Sequence, residues 1–384
     1  MRHLQLAFLL GLSLQLVCAC GVAAQKSKSA AAVVQSAPQA SVERDREIAA
    51  RFAPVFQQGI GDKRRNDYIT NFDFDGDWRG NNNWTNSEDT RFHLKAYIYY
   101  AVSETATHFF IHYAVFHPQD YKGNEKGGAL LSKIIREGVK RGGKYDPTGL
   151  SDEAALAHEN DMEGCLVVVR KAGADLERAR VVYVETVAHN RFLKYAVEAE
   201  TDGGANRAFD IVKVERGHPQ LYIEPKGHGI HAYTGSEKQT PHNGLLTYIF
   251  KGQADDPESV STDEIGYELI TLYDTLWPLA RKGVNQTFGA ASRYTPLNIS
   301  VFQTLGKLLK RQVNLGTLGT AFLGNVGATN MARPPWGWFD RTDSQQPLGS
   351  WFFDPATTVK SHFNVGAEFS TSYMHAPFLG IFRK

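Results

Sequence analysis

The sequence predicts a mainly β fold: an antiparallel β-sandwich carrying a few inserted amphipathic helices and an irregular C-terminal extension. Three observations predict it. Short β-branched and aromatic runs recur through the middle of the chain, as in "LKAYIYYAV" (94–102), "THFFIHYAVF" (107–116) and "ARVVYVETVA" (179–188). Turn chemistry separates these runs, as in "KAGADLE", "DGGAN" and "RGHP". Few helical stretches lie between neighbouring strands, so most connections are too short for parallel crossovers.

Taken in order, residues 1–24 read as a secretion signal. "MRH" is a short positive start, and the apolar stretch after it ends too soon to span a membrane. "VAA" before Gln25 suits ordinary cleavage, while "VCAC" offers a lipid-attachment alternative with Cys20 as the lipidated first residue. The protein is therefore expected outside the cytoplasm, secreted or lipid-anchored. Residues 25–42 are low in complexity and read as a disordered tether. A short helix over "ERDREIAARFAPVF", ended by Pro54, opens the sandwich domain, placed at 43–284.

Further strands are expected at "GCLVVVR" (164–170), "RFLKYAVE" (191–198), "PQLYIEP" (219–225) and "LLTYIF" (245–250). Two helices are expected among them. "GALLSKIIREGVKR" (128–141) is amphipathic and glycine-flanked, and 261–282 opens with a capping signature, Ser261 followed by Glu264. Residues 285–384 read as an extension packed on the sandwich.

Composition excludes some functions. A formal net charge of +1 gives no basis for a nucleic-acid partner. Of three cysteines only Cys165 lies outside the signal region, so no intrachain disulfide is expected, and its apolar setting makes it a buried hydrophobe. Phosphate loops, serine-nucleophile elbows and His-Glu-x-x-His helices are absent.

The chemistry concentrates at "AHENDMEGCLVVV" (157–169), where acids precede a core strand. In an extended chain Asp161 and Glu163 project to one side, with His158 approaching from the preceding turn. Two carboxylates and an imidazole at one spot call for a positive charge, which a divalent cation or nearby Lys and Arg side chains can supply. His228 and His231 in "KGHGIHAY" are candidate ligands or a general acid and base. His112 and His117 on the neighbouring strand read as packing residues. A second acidic cluster, Asp73, Asp75 and Asp77 around Gly76, offers a calcium-type arrangement without EF-hand spacing. Trp78 and Trp84 beside it are candidates for stacking on a sugar, and a buried Asp/Asn/Gly-rich turn is the alternative.

"HENDMEGCLVVV" resembles the "GHRHDWE" heptapeptide and following strand of the necrosis-inducing-peptide-like cytolysins, and the "GDWE" segment of a vacuolar-sorting family of related architecture. "YAVFHPQD" (113–120) is similar to the cytolysins' aromatic strand, and "PQLYIEPKGHGIHAYTG" (219–235) to the vacuolar-sorting family's strand followed by "GSHASY". The likeness runs from about residue 94 to 250. It implies a β-sandwich with a divalent cation in a surface cavity, held by Asp120, His158, Asp161 and Glu163, and a glycan or lipid-headgroup partner at a membrane surface. Asn160 and Met162 replace a histidine and the tryptophan of the heptapeptide, and 37 residues separate Asp120 from His158 where the family has a short loop. Calcium or magnesium is favoured by the oxygen-rich set, with zinc or manganese as alternatives. Two functions follow: a secreted metal-containing protein binding a polar headgroup or glycan, or a metal-dependent hydrolase in which His228 or His231 moves the proton.

Overall fold

The alternating apolar runs do become strands, and they join into one large sheet. A computed structural model describes residues 39–120, 158–197, 209–239, 243–279, 297–302, 308–313 and 333–383, apart from positions 79, 81, 174, 344, 345, 347 and 348. The predicted signal, most of the tether and the expected helix at 128–141 lie outside these residues. So does the side chain of His158, although its backbone is described.

Helix α1 (Gln39–Arg51) leads into β1 (Val55–Gly59), and the short α2 (Asn83–Glu88) follows. Then come β2 (Tyr97–Thr105), β3 (His108–Asp120), β4 (His158–Arg170), β5 (Arg180–Val187) and β6 (Phe192–Val197). The short strands β7 (Asp210–Val212) and β8 (Val214–Glu215) precede β9 (His218–Ile223), β10 (Ile230–Ala232), β11 (Leu245–Phe250) and β12 (Glu264–Thr271). The pair β13 (Leu297–Phe302) and β14 (Leu308–Val313) forms a separate two-stranded sheet. Helices α3 (Ser350–Phe353) and α4 (Pro355–Phe363) and strand β15 (Tyr373–His375) complete the set.

The main sheet runs β10-β9-β1-β11-β12-β2-β3-β4-β5-β6-β7, with β15 on β2 and β8 on β9. It is mixed rather than purely antiparallel: β1 with β9, β11 with β12, β12 with β2, and β6 with β7 pair in parallel. The sheet also curls back on itself. Thr186 on β5 donates to the carbonyl of Ile230 on β10 at 2.6 Å, so strands far apart in the sheet order meet. A nearly closed, barrel-like sheet therefore stands where a two-sheet antiparallel sandwich is expected.

The expected helix at 261–282 is the second correction. Residues 264–271 form β12, wedged in parallel register between β11 and β2. The segment "EIGYELIT" alternates, and its odd positions Ile265, Tyr267 and Leu269 are buried in the core. Tertiary pairing on both edges overrides the capping signature at Ser261 and Glu264.

Two apolar cores explain why the central strands read as unbroken hydrophobic runs. Cys165, Val167 and Val169 of β4 face one core with Ile111, Tyr113 and Val115 of β3 and with Ile48 and Phe52 of α1. Met162, Leu166 and Val168 face the other, which the C-terminal residues Trp336, Trp338, Trp351 and Phe363 cover. A buried polar bridge fastens that cover: Glu185 of β5 accepts from Trp351 Nε1 at 2.5 Å and meets His362 Nδ1 at 2.8 Å. Cys165 is a buried free thiol, pushed well above its ordinary pKa by burial. No described helix is long and apolar enough to cross a membrane.

Candidate binding site at one end of β3 and β4

The long hairpin partners β3 and β4 carry the predicted residues to one end of the sheet. Antiparallel register sets Asp120 opposite His158, Gln119 opposite Glu159, His117 opposite Asp161 and Val115 opposite Glu163. Residues directly opposite share a face, so His117, Asp161 and Glu163 stand together on the face that Val115 and Cys165 turn to the core shared with α1. Between them Asn160 adopts φ 59°, which interrupts the regular alternation of β4 just before Asp161.

His228 closes over this corner from the turn after β9. Its ring lies flat on that of His117, with centroids 3.7 Å apart and planes 5° apart. Nδ1 contacts Asp161 Oδ2 at 2.9 Å, and Nε2 contacts Asp67 Oδ1 at 3.2 Å. Burial pulls the pKa of this imidazole down, but hydrogen bonds and attraction from Asp161 and Asp67 outweigh it and raise the value to about 10. The two rings therefore differ in charge. Burial and the neighbouring His228 hold His117 well below the usual histidine range, and its Nε2 meets Gln58 Oε1 at 3.0 Å. Because the Gln58 amide nitrogen donates to Gly59 O, its oxygen faces His117, which fixes a neutral ring donating from Nε2.

Asp67 is itself held by the backbone: Gly61 N and Lys226 N donate to it at 2.7 and 2.6 Å. Lys226 and His228 both have positive φ, at 71° and 53°, in the tight turn that "PKGHGI" makes possible. His231 is carried elsewhere. Its Nε2 meets Glu224 Oε1 at 2.9 Å, while His189 Nε2 meets Oε2 of the same carboxylate at 2.8 Å. The two candidate histidines thus sit in separate clusters, His228 buried and His231 half-buried. The clusters are nonetheless neighbours, since the His189 backbone N–H donates to Glu163 Oε1 at 2.9 Å.

The second acidic cluster docks directly on β4. Trp84 N, at the start of α2, donates to Glu159 Oε1 at 2.9 Å. Asn83 Nδ2 donates to Asn160 Oδ1 at 2.6 Å, and Asn160 Nδ2 donates to Gly80 O at 2.6 Å. Gln119 of β3 adds a bond to Trp84 O at 2.9 Å. Within this loop the acids serve the turn: Asp73 accepts from Asn71, Asp75 from Asn86 and Asp77 from Asn82. Trp78 stacks on Phe72 with centroids 6.0 Å apart, and Trp84 is half-buried. The two acidic clusters therefore share one end of the sheet.

Sequence reasoning missed Asp67, Gln58, His189 and Glu224, and it ranked His117 as packing. His112 is a packing residue as expected, its ring against Trp351 and its Nε2 on Trp351 O at 2.9 Å. Among the described residues no group of three His, Cys, Asp or Glu side chains is arranged to hold a metal ion; His158, one of the four expected ligands, has no described side chain.

No protein-family model matches the chain, and no curated protein matches it significantly. Solved structures do. NLPPya in complex with glucosamine is 13% identical over 63% of this chain and 79% of its own, with a TM-score of 0.27. NLPPya in complex with mannosamine is 12% identical over the same shares, at 0.29. Necrosis and Ethylene inducing Protein 2, from the causal agent of cocoa's Witches Broom disease, is 17% identical over 48% of this chain and 53% of its own, at 0.21. The chain bears a weak resemblance to the necrosis-and-ethylene-inducing toxin-fold proteins.

Proposed function

We propose that this is a secreted protein that binds a polar headgroup or glycan at the Asp161 end of β3 and β4, with a divalent cation held by Asp120, His158, Asp161 and Glu163. The observation that carries the reading is the register: Asp161 and Glu163 share one face of β4, and Asp120 pairs with His158 at the same end of the two strands, beyond the Asn160 interruption. Asp161 and Glu163 are only 6% and 7% exposed, and buried carboxylates need positive charge or donors. Asp161 meets His228 and Glu163 accepts from the His189 N–H. The donor set fits a hard, oxygen-preferring ion such as calcium or magnesium. When bound, such an ion supplies a positive point to which sugar hydroxyls or a headgroup oxygen coordinate. The chain's own contribution is to fix the carboxylates: β4 spaces them, and α2, bonded to Glu159 and Asn160, brings Trp84 to the same end as a face for a sugar ring.

Binding is preferred over hydrolysis because His228 is built to hold charge. A ring bonded to carboxylates through both nitrogens and buried from solvent has no free lone pair with which to accept a proton from water.

The test is elemental analysis of the purified mature protein beside an Asp161→Asn/Glu163→Gln variant, followed by glycan and vesicle binding with and without a chelator. One stoichiometric divalent ion, lost in a still-folded variant, and chelator-sensitive sugar or headgroup binding are expected. A folded protein that takes up no ion even on addition of calcium, magnesium, zinc or manganese overturns the reading.

A further inference from the structure

The other end of β3 and β4 holds a second site. Because β3 spans 13 residues, its two ends lie on the order of 40 Å apart. At the His108 end a cavity of about 710 Å³ opens between the sheet, α1 and the C-terminal segment. That volume is typical of small-molecule sites.

Its lining carries four cationic side chains. Arg44 of α1, Arg170 and Lys171 at the end of β4, and Arg383 near the C-terminus all line it, against the two carboxylates Glu104 and Glu368. Glu104 is already shared: Lys171 Nζ reaches Oε1 at 2.5 Å and Arg383 Nε reaches Oε2 at 2.6 Å. Arg383 spends a further N–H on Asp45 at 2.6 Å, while its Nη2 has no hydrogen-bond partner among the described residues. Arg44 pairs with Glu47, but those side chains are 33% and 60% exposed. An exposed pair of that kind is worth little and yields readily to a better anion.

The local field agrees. Burial, together with Arg170 and Lys171, lowers the His108 pKa to about 4, so its ring stays neutral and the positive charge at the cavity comes from the arginines and Lys171. The cavity also has an apolar side. Phe109 lines it, with Lys171 lying 5.0 Å over its ring, and Met374 stands at the wall 52% exposed. An exposed methionine beside a ring of guanidinium groups offers a surface for the body of a ligand whose head is anionic.

The Arg44 and Arg170 guanidinium groups, the Nη2 of Arg383 and one ammonium around a single space match a tetrahedral oxyanion better than a lone carboxylate, because such an anion presents more oxygens to separate donors. We propose that this cavity is a binding site for a phosphate- or sulfate-bearing molecule. Its anionic group sits among Arg44, Arg170, Lys171 and Arg383, and its organic body lies against Met374. This site is separate from the carboxylate-rich corner at the opposite end of the sheet, and it does not depend on the cation proposed there.

The test uses the intact mature protein with two soluble probes, inorganic phosphate and phenyl phosphate, and with vesicles of phosphatidylcholine alone or mixed with phosphatidic acid. Saturable phenyl phosphate binding by calorimetry is expected, tighter than that of inorganic phosphate because of the aromatic body. Arg44→Gln and Arg170→Gln are each expected to weaken it about tenfold, the loss of one charge-assisted contact. Asp161→Asn is expected to leave it unchanged, which separates this site from the first. Thermal melts of each variant report whether it is folded. Cosedimentation with phosphatidic acid vesicles that phenyl phosphate displaces assigns the source as a lipid headgroup; soluble binding without cosedimentation assigns a free ester. Absence of saturable binding at millimolar probe, or binding that the folded arginine variants leave unchanged, overturns the proposal.

Discussion

His228 lies flat on His117, with centroids 3.7 Å apart, yet the two rings carry different charge. Asp161 and Asp67 hold His228 protonated, with a pKa raised to about 10, and burial with that adjacent charge keeps His117 neutral. This relationship has consequences for stability that need no ligand to be seen.

A folded-state pKa of about 10 against an ordinary 6.5 means that folding takes up a proton at His228. The stabilisation is fully present below pH 6.5 and is lost as pH rises toward 10. Its limiting slope is about 1.4 kcal/mol per pH unit, one proton's worth. The His228 contribution is read below pH 9, because above it the unfolded Cys165 thiol, and from pH 10 the unfolded counterparts of the buried Tyr99, Tyr113 and Tyr248, ionise while burial raises all four pKa values in the folded protein, which adds a decline of the same sign. Denaturant titrations of chelator-treated protein between pH 6.5 and 9 are expected to show this decline, and His228→Gln is expected to flatten it there. An equal slope in the variant rules out His228 as its origin.

Removing His228 leaves Asp161 and the almost fully buried Asp67 without their shared counter-charge. His228→Leu is expected to cost about 3–5 kcal/mol at neutral pH, the usual penalty for stranding one side of a buried ion pair. Adding Asp67→Asn to the same chain is expected to recover part of that loss, because the neutral amide no longer demands a cation. Strictly additive single-variant costs in a double-mutant cycle count against the coupling.

Asn160 clips the acidic loop to β4 from a left-handed backbone position, donating to Gly80 O and accepting from Asn83. Asn160→Leu loses both bonds and places a γ-branched side chain at φ 59°, with an expected cost of about 2–4 kcal/mol. The sharper readout is local. Amide exchange in 71–89 is expected to accelerate well before the rest of the sheet, while Asn160→Gly, which keeps the backbone free of strain, loosens the loop with a smaller global loss.

The strands were legible because they alternate or run apolar over short, turn-bounded stretches, and 94–102 and 107–116 fall on β2 and β3. Their partners were not. Parallel pairing of β12 with β2 brings together residues 171 positions apart, and nothing local in "EIGYELIT" records it beyond an alternation that the Ser261 capping signature outweighed. The site shows the same division. Asp161 and Glu163 were legible from two-residue spacing on one strand, whereas Asp67 and Gln58 reach His228 and His117 from chain segments whose motifs carry no signal of chemistry. His117 gave one available clue, a histidine in register beside Asp161, which becomes visible only once β3 and β4 are paired.

Gly164 gives the last prediction, since it decides whether the C-terminal cover can close on β4. A Cβ built there would lie 2.2 Å from the carbonyl oxygen of Tyr113 and 2.5 Å from the Trp338 ring. Trp338 is nearly buried and donates from its indole N–H to Met162 O at 3.1 Å, so the bare backbone at 164 is what lets the ring reach the strand. Gly164→Ala is expected to destabilise the protein by about 3 kcal/mol, the upper end for overpacking, because one of the opposing atoms is backbone. Pairing it with Trp338→Leu is expected to relieve the ring clash but not the carbonyl one, so rescue is partial. Limited proteolysis reads the mechanism: in Gly164→Ala the bonds after residue 333 are expected to be cut sooner while β2–β5 stay protected. Uniform loss of protection across the sheet instead places the strain in the β3–β4 ladder itself.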